Sequence, residues 1–122
     1  MLVGEIMKAI LNYKDKKIEI EGIKRCNFFE KIFGLMFMQR ERAEALLFDF
    51  KNNTRIAIHS YFVFFPFIAI WLNAENRIVD YKLVMPFKGL ISPLQEFSKL
   101  IEIPINKKYQ EVVEVLVGDR KV

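Results

Sequence analysis

Apolar and polar positions alternate most clearly between Lys17 and Ile23, where Ile18 and Ile20 are set among Lys17, Glu19 and Glu21. A period of two is the mark of a strand with one buried face, and Gly22 inside it marks a bulge. Ahead of it, residues 1–11 mix helical spacing (Leu2, Ile6, Ile10) with a short extended pattern, and the polar residues 12–16 read as a turn. Residues 45–50 read as a buried strand, 51–54 as a turn, and 77–85 as a strand of partial alternation that Pro86 ends. An aliphatic strand at 100–105 carries one carboxylate, Glu102. Two segments follow the helical period instead. Phe28, Phe29, Ile32, Phe33, Met36 and Phe37 recur after a capping residue at Asn27, and Tyr109, Val112, Val113 and Leu116 form a stripe between a cap at Asn106 and a stop at Gly118. Short helices are therefore expected at about 27–38 and 106–117.

Between residues 56 and 74 there is no Asp, Glu, Lys or Arg. The run nearly reaches the length of a membrane-spanning helix, about 20 residues. His59, Ser60, Tyr61 and Pro66 interrupt it, and a mid-helix proline removes a hydrogen bond. Its apolar residues are mostly β-branched or aromatic, which reads as two consecutive buried strands joined near Pro66 at the centre of a soluble core. Taken with the other elements, this predicts a single α+β, mostly β domain spanning residues 1–122, with no membrane partner.

Composition narrows the function classes. A chain of 122 residues supports one core. The single cysteine, Cys26, cannot form an internal disulfide, and the opening residues lack the pattern of a secretory signal, so a cytoplasmic location is expected. Abundant Ile, Lys, Glu and Phe match proteins from hot environments. The net charge of +4 admits a nucleic-acid partner. However, the lysines at 14–31 are interleaved with Asp15, Glu19, Glu21 and Glu30, which reads as a mixed, solvated surface. One His, one Cys, no acidic calcium-loop spacing and no glycine-rich phosphate loop leave no metal or cofactor expected.

Candidate chemistry is sparse. His59, the only histidine, changes charge near neutral pH and suits a general base or an anion ligand; it also suits a half-buried structural imidazole. Glu102 and Asp49 each sit among apolar strand residues, where they either line a pocket with His59 or face solvent. Cys26, next to aromatic residues, reads as inert packing, with a reactive thiol as the alternative. The 12 Phe, 4 Tyr and 1 Trp exceed what a small barrel easily buries. If strand alternation sends Phe62, Phe64 and Phe67 outward, they form a patch for self-association; otherwise the two helices bury them.

Several stretches, taken in order, resemble a conserved family known as domain of unknown function family 192. They are Gly34-Leu35-Met36-Phe37, Leu47-Phe48-Asp49-Phe50, the core from His59-Ser60-Tyr61-Phe62 through Phe65-Pro66-Phe67-Ile68-Ala69, Pro86-Phe87, and Leu100-Ile101-Glu102-Ile103-Pro104. The resemblance implies a strongly curved antiparallel or mixed sheet approaching a barrel, with short peripheral helices, and it supplies no reaction. The acidic residue that the family often places after its Pro-x pair falls on Ile68 here, which weakens any site built on that carboxylate. The reading favoured is a non-catalytic module that binds a small ligand near His59, Ser60, Glu102 and Asp49 or associates with itself. The alternatives are a hydrolase- or transferase-type enzyme using His59 with Glu102 or Asp49, and an RNA- or DNA-binding protein.

Overall fold

The computed structural model describes residues 6–26 and 34–120, the last two of these through their backbone. Strand β1 (Ile6–Tyr13) turns at Lys14 into β2 (Lys16–Arg25) as an antiparallel hairpin. Gly22, at φ +71°, sits where the hairpin register shifts, so the expected bulge is present. The remaining strands are β3 (Ala45–Thr54), β4 (Phe67–Leu72), β5 (Ile78–Val84) and β6 (Phe97–Pro104). They assemble into one six-stranded sheet in the order β1-β2-β3-β6-β4-β5, antiparallel throughout except between β2 and β3.

The sheet curls into a half-barrel whose two edge strands meet at one end. There Asn12 pairs with Arg77, its amide donates to the Asn76 carbonyl at 2.9 Å, and the rings of Tyr13 and Tyr81 meet edge to face. Two cores result. The concave face holds Leu11, Ile20, Ile70, Ile101 and Ile103 and is closed by Tyr109 and by Leu116 of helix α1 (Gln110–Arg120), which follows a 3-10 turn at Lys107–Tyr109. The opposite face packs Phe48, Phe67, Trp71, Phe97 and Leu100 beneath the connecting segments. Strand β4 is buried on both faces, so its residues are apolar without alternation.

Several expectations need correction. Of the uncharged run, only 67–72 is a strand; residues 56–66 form a connection joined to the segment at 85–91 by an isolated Ile58–Ile91 bridge. This stretch pairs with another loop rather than with a neighbouring strand, and a turn at Tyr61 and Phe62 breaks its extended path. Residues 51–54 bulge out within β3 rather than ending it, with Lys51 at φ +65°. Residues 34–37 of the first expected helix form a turn, and its earlier part lies outside the described residues. At the C-terminal helix, Asn106 does not cap with its side chain; its Nδ2 donates instead to the carbonyls of Arg40 and Ala43 at 2.8 and 3.0 Å. The helix runs past Gly118 to Arg120. Among the described residues no helix is long and apolar enough to cross a membrane.

Candidate functional site

A cleft of about 150 Å³ opens between the β3–β6 pair and the segments at 34–36 and 56–63. Strand alternation builds its floor. Phe48 and Phe50 of β3 and Leu100 and Glu102 of β6 point to the same face, while Ile101 and Ile103 point into the concave core. Phe67, Val63, Leu35, Met36 and residues 56–58 add further apolar lining, and His59 and Glu102 are its only polar or charged side chains among the described residues.

Glu102 is 7% exposed, and its carboxyl makes no hydrogen bond or ion pair with another described residue. Burial pushes its pKa up to about 8, because a carboxylate loses most of its hydration there and gains no counter-charge. At neutral pH the group is therefore mostly a neutral acid, able to donate one hydrogen bond. Gly34, at φ +53°, lets the chain pass over this carboxyl; a Cβ there would lie 3.2 Å from Oε1. The first residue of the Gly-Leu-Met stretch thus lies close against the glutamate on β6.

His59 lies on an exposed segment rather than on a core strand. Its Nδ1 accepts the Tyr61 amide at 3.2 Å, and its ring lies 5.1 Å from that of Tyr61. This local bond fixes the imidazole at the cleft's rim without burying it.

The other two candidates lie elsewhere. Ser60 is fully buried and does not line the cleft: its Oγ donates to the Met85 carbonyl at 2.6 Å and accepts the Lys88 amide at 2.7 Å. Asp49 faces away from Phe48 and Phe50; it pairs with Arg25 at 3.2 Å and accepts the Lys51 amide at 2.9 Å, bracing the β2–β3 junction and the bulge. Cys26 is buried. Of the three aromatics expected to face outward, Phe62 and Phe64 are exposed, whereas Phe67 is buried as the first residue of β4. Sequence reasoning missed the apolar half of the lining, Met36, Phe48, Phe50 and Val63, because these residues come from three separate segments. Among the described residues no three His, Cys, Asp or Glu side chains gather as a metal-binding group.

No family model matches the chain. Two solved structures share its fold. One, a protein of unknown function from Novosphingobium aromaticivorans, superposes with a TM-score of 0.65 at 13% identity, covering 88% of this chain and 79% of that one. The other, from Sinorhizobium meliloti and named as a candidate transcription regulator, gives a TM-score of 0.67 at 14% identity over 90% and 91% of the two chains. At these identities the likeness speaks for the half-barrel alone. A UPF0127 protein of Pyrococcus abyssi is 30% identical over 118 residues, covering 93% of this chain and 96% of its own length, a source consistent with the hot-environment composition. With that relative matched nearly end to end, the chain belongs to the UPF0127 family.

Proposed function

We propose that this protein is a non-catalytic module that binds a small molecule in the cleft between β3, β6 and the 56–63 segment. The observation that carries the reading is the buried Glu102 carboxyl in a cavity whose other described lining is apolar except for His59. The carboxyl faces the cleft, where a guest accepting its hydrogen bond would take the place of water. The guest that fits has an apolar body lying along Phe48, Phe50 and Phe67 and a polar end meeting Glu102, with His59 Nε2 available at the rim. Binding is favoured over covalent catalysis because the described lining contains no hydroxyl, thiol or amine to act as a nucleophile. The reading includes a cytoplasmic location. It also includes the identity of the UPF0127 family with domain of unknown function family 192, supported by the resembling stretches from Gly34 to Pro104 lying in a chain that a UPF0127 protein matches over 93% of its length.

Mass spectrometry of gently purified protein, native and then denatured, tests this. A bound mass is expected that is lost on denaturation and is absent or much reduced in Glu102→Leu. A native protein without bound mass, or one whose bound mass is indifferent to Glu102→Leu, would overturn the proposal.

A further inference from the structure

Outside the cleft, four phenylalanines gather on the surface. Phe37, Phe62, Phe64 and Phe87 are 64%, 48%, 58% and 49% exposed, yet their rings touch one another. Phe37 stacks on Phe62 with centroids 5.2 Å apart, and Phe87 lies edge to face against Phe62 and Phe64 at 6.0 and 5.3 Å. The backbone beneath them is unusual. Phe37, Phe62 and Phe87 have φ of 61°, 60° and 60°, and the neighbouring Leu90, 88% exposed, has φ 46°. Left-handed backbone disfavours bulky side chains and is normally left to Gly, Asn or Asp. Here it is locked in place, since the Phe37 amide donates to the Phe62 carbonyl and the Phe87 amide to the Ser60 carbonyl, both at 2.9 Å. The fold therefore keeps a strained backbone while leaving large apolar rings in water. That combination benefits neither the monomer's stability nor its solubility, and it marks a surface shaped for contact.

We infer that this phenylalanine platform is the contact through which two copies of the chain associate. Area and charge select a second copy over other partners. At about 200 Å² for a whole aromatic side chain, the four rings expose roughly 400 Å², and Tyr61, Met85 and Leu90 bring the face close to the roughly 800 Å² that each partner of a stable complex contributes. Segments 34–39, 56–66 and 83–95, which build the face and its surroundings, contain no Asp or Glu and one permanent charge, Lys88, with Lys82 at its border beside Met85 and Leu90. Two such faces meet with little charge to desolvate or repel. A nucleic acid or an anionic bilayer would be met by several clustered cations, which this face lacks. In a two-fold dimer the same patch serves both copies, and stacked rings supply anchors of the type that dominates interface energetics. The inference does not depend on the cleft being a ligand site.

Light scattering of the full chain from about 1 to about 200 µM tests it, a range that spans ordinary micromolar association. The mass is expected to rise toward twice 14.5 kDa with concentration. Phe62→Gly and Phe87→Gly are the variants of choice, because glycine adopts the same positive φ freely and leaves the fold intact. Each should weaken association roughly tenfold or more with an unchanged circular dichroism spectrum. A wild-type mass that stays at 14.5 kDa throughout would overturn the inference, as would a dimer whose affinity ignores both variants. Co-sedimentation of a monomeric wild type with phosphatidylcholine–phosphatidylglycerol vesicles would overturn it in favour of a bilayer.

Discussion

Ser60 carries out a residue's work that its neighbours in sequence do not reveal. Its hydroxyl and both of its backbone groups bind the 85–88 segment: the Ser60 amide donates to the Lys88 carbonyl at 2.7 Å, and the Phe87 amide donates back to the Ser60 carbonyl. The knot fixes Phe87 beneath Phe62 and Phe64, so a residue first considered for ligand contact instead holds the aromatic surface. Ser60→Ala leaves the Met85 carbonyl and the Lys88 amide short of a partner, and should lower stability by about 1–3 kcal/mol in urea denaturation. A loss within a few tenths would mean that water replaces the hydroxyl. At this scale, polarity and alternation singled out Glu102 as the odd carboxylate of an aliphatic strand but left open whether it lines a pocket or faces solvent; it is buried in the cleft. The same reasoning treated Asp49 alike, although one step of strand alternation sends it to the other face, beside Arg25.

Among the elements, the joint between β2 and β3 is the weak seam, since their parallel pairing covers only Ile23–Arg25 against Ala45–Leu47. Tyr109, at the entry to α1, closes one end of it. Its hydroxyl donates to the Gly22 carbonyl and accepts the Ala45 amide, each at 2.7 Å, and burial raises its pKa above the usual phenol range. Gly22 is required by its positive φ, whereas a Cβ there would meet the hydroxyl only at an ordinary 3.6 Å contact. Tyr109→Phe keeps the ring but strands the Ala45 amide and the Gly22 carbonyl. The expected result is a loss of about 1–3 kcal/mol together with faster hydrogen exchange at Ala45. Unchanged exchange there would show that the seam holds without the helix. The stripe containing Tyr109 was legible as a helical face, but its closure of the seam was not, because Tyr109 and Gly22 are 87 residues apart in sequence. The uncharged run was misread for a related reason: apolar residues that cover a sheet as a loop carry the same composition as residues within it.

For the whole molecule, Glu102 links stability to pH. Its carboxyl titrates near about 4.3 when unfolded and at about 8 when folded. Between those values the folded chain holds a proton that the unfolded chain has released, so this contribution is fully present below the lower pKa and is lost as pH rises through the upper one. The wild type should lose stability relative to Glu102→Gln between about pH 5 and pH 9, by an amount on the order of several kcal/mol. Urea midpoints of the two proteins across that range provide the measurement, and parallel curves would mean that the carboxyl is not held neutral. The sequence by itself determined the mostly β class, the half-buried β2 with its bulge, the helical stripe over Tyr109 and Leu116, and an aromatic surplus beyond what the core needs, because periodicity and composition are properties of neighbouring residues. Tertiary structure alone decided that His59 and Glu102 share a cleft while Ser60 and Asp49 do not. It also decided that the surplus aromatics gather on strained backbone at one face. Both outcomes depend on how a curled sheet brings β3, β6 and two loops together, and no local pattern encodes that registry.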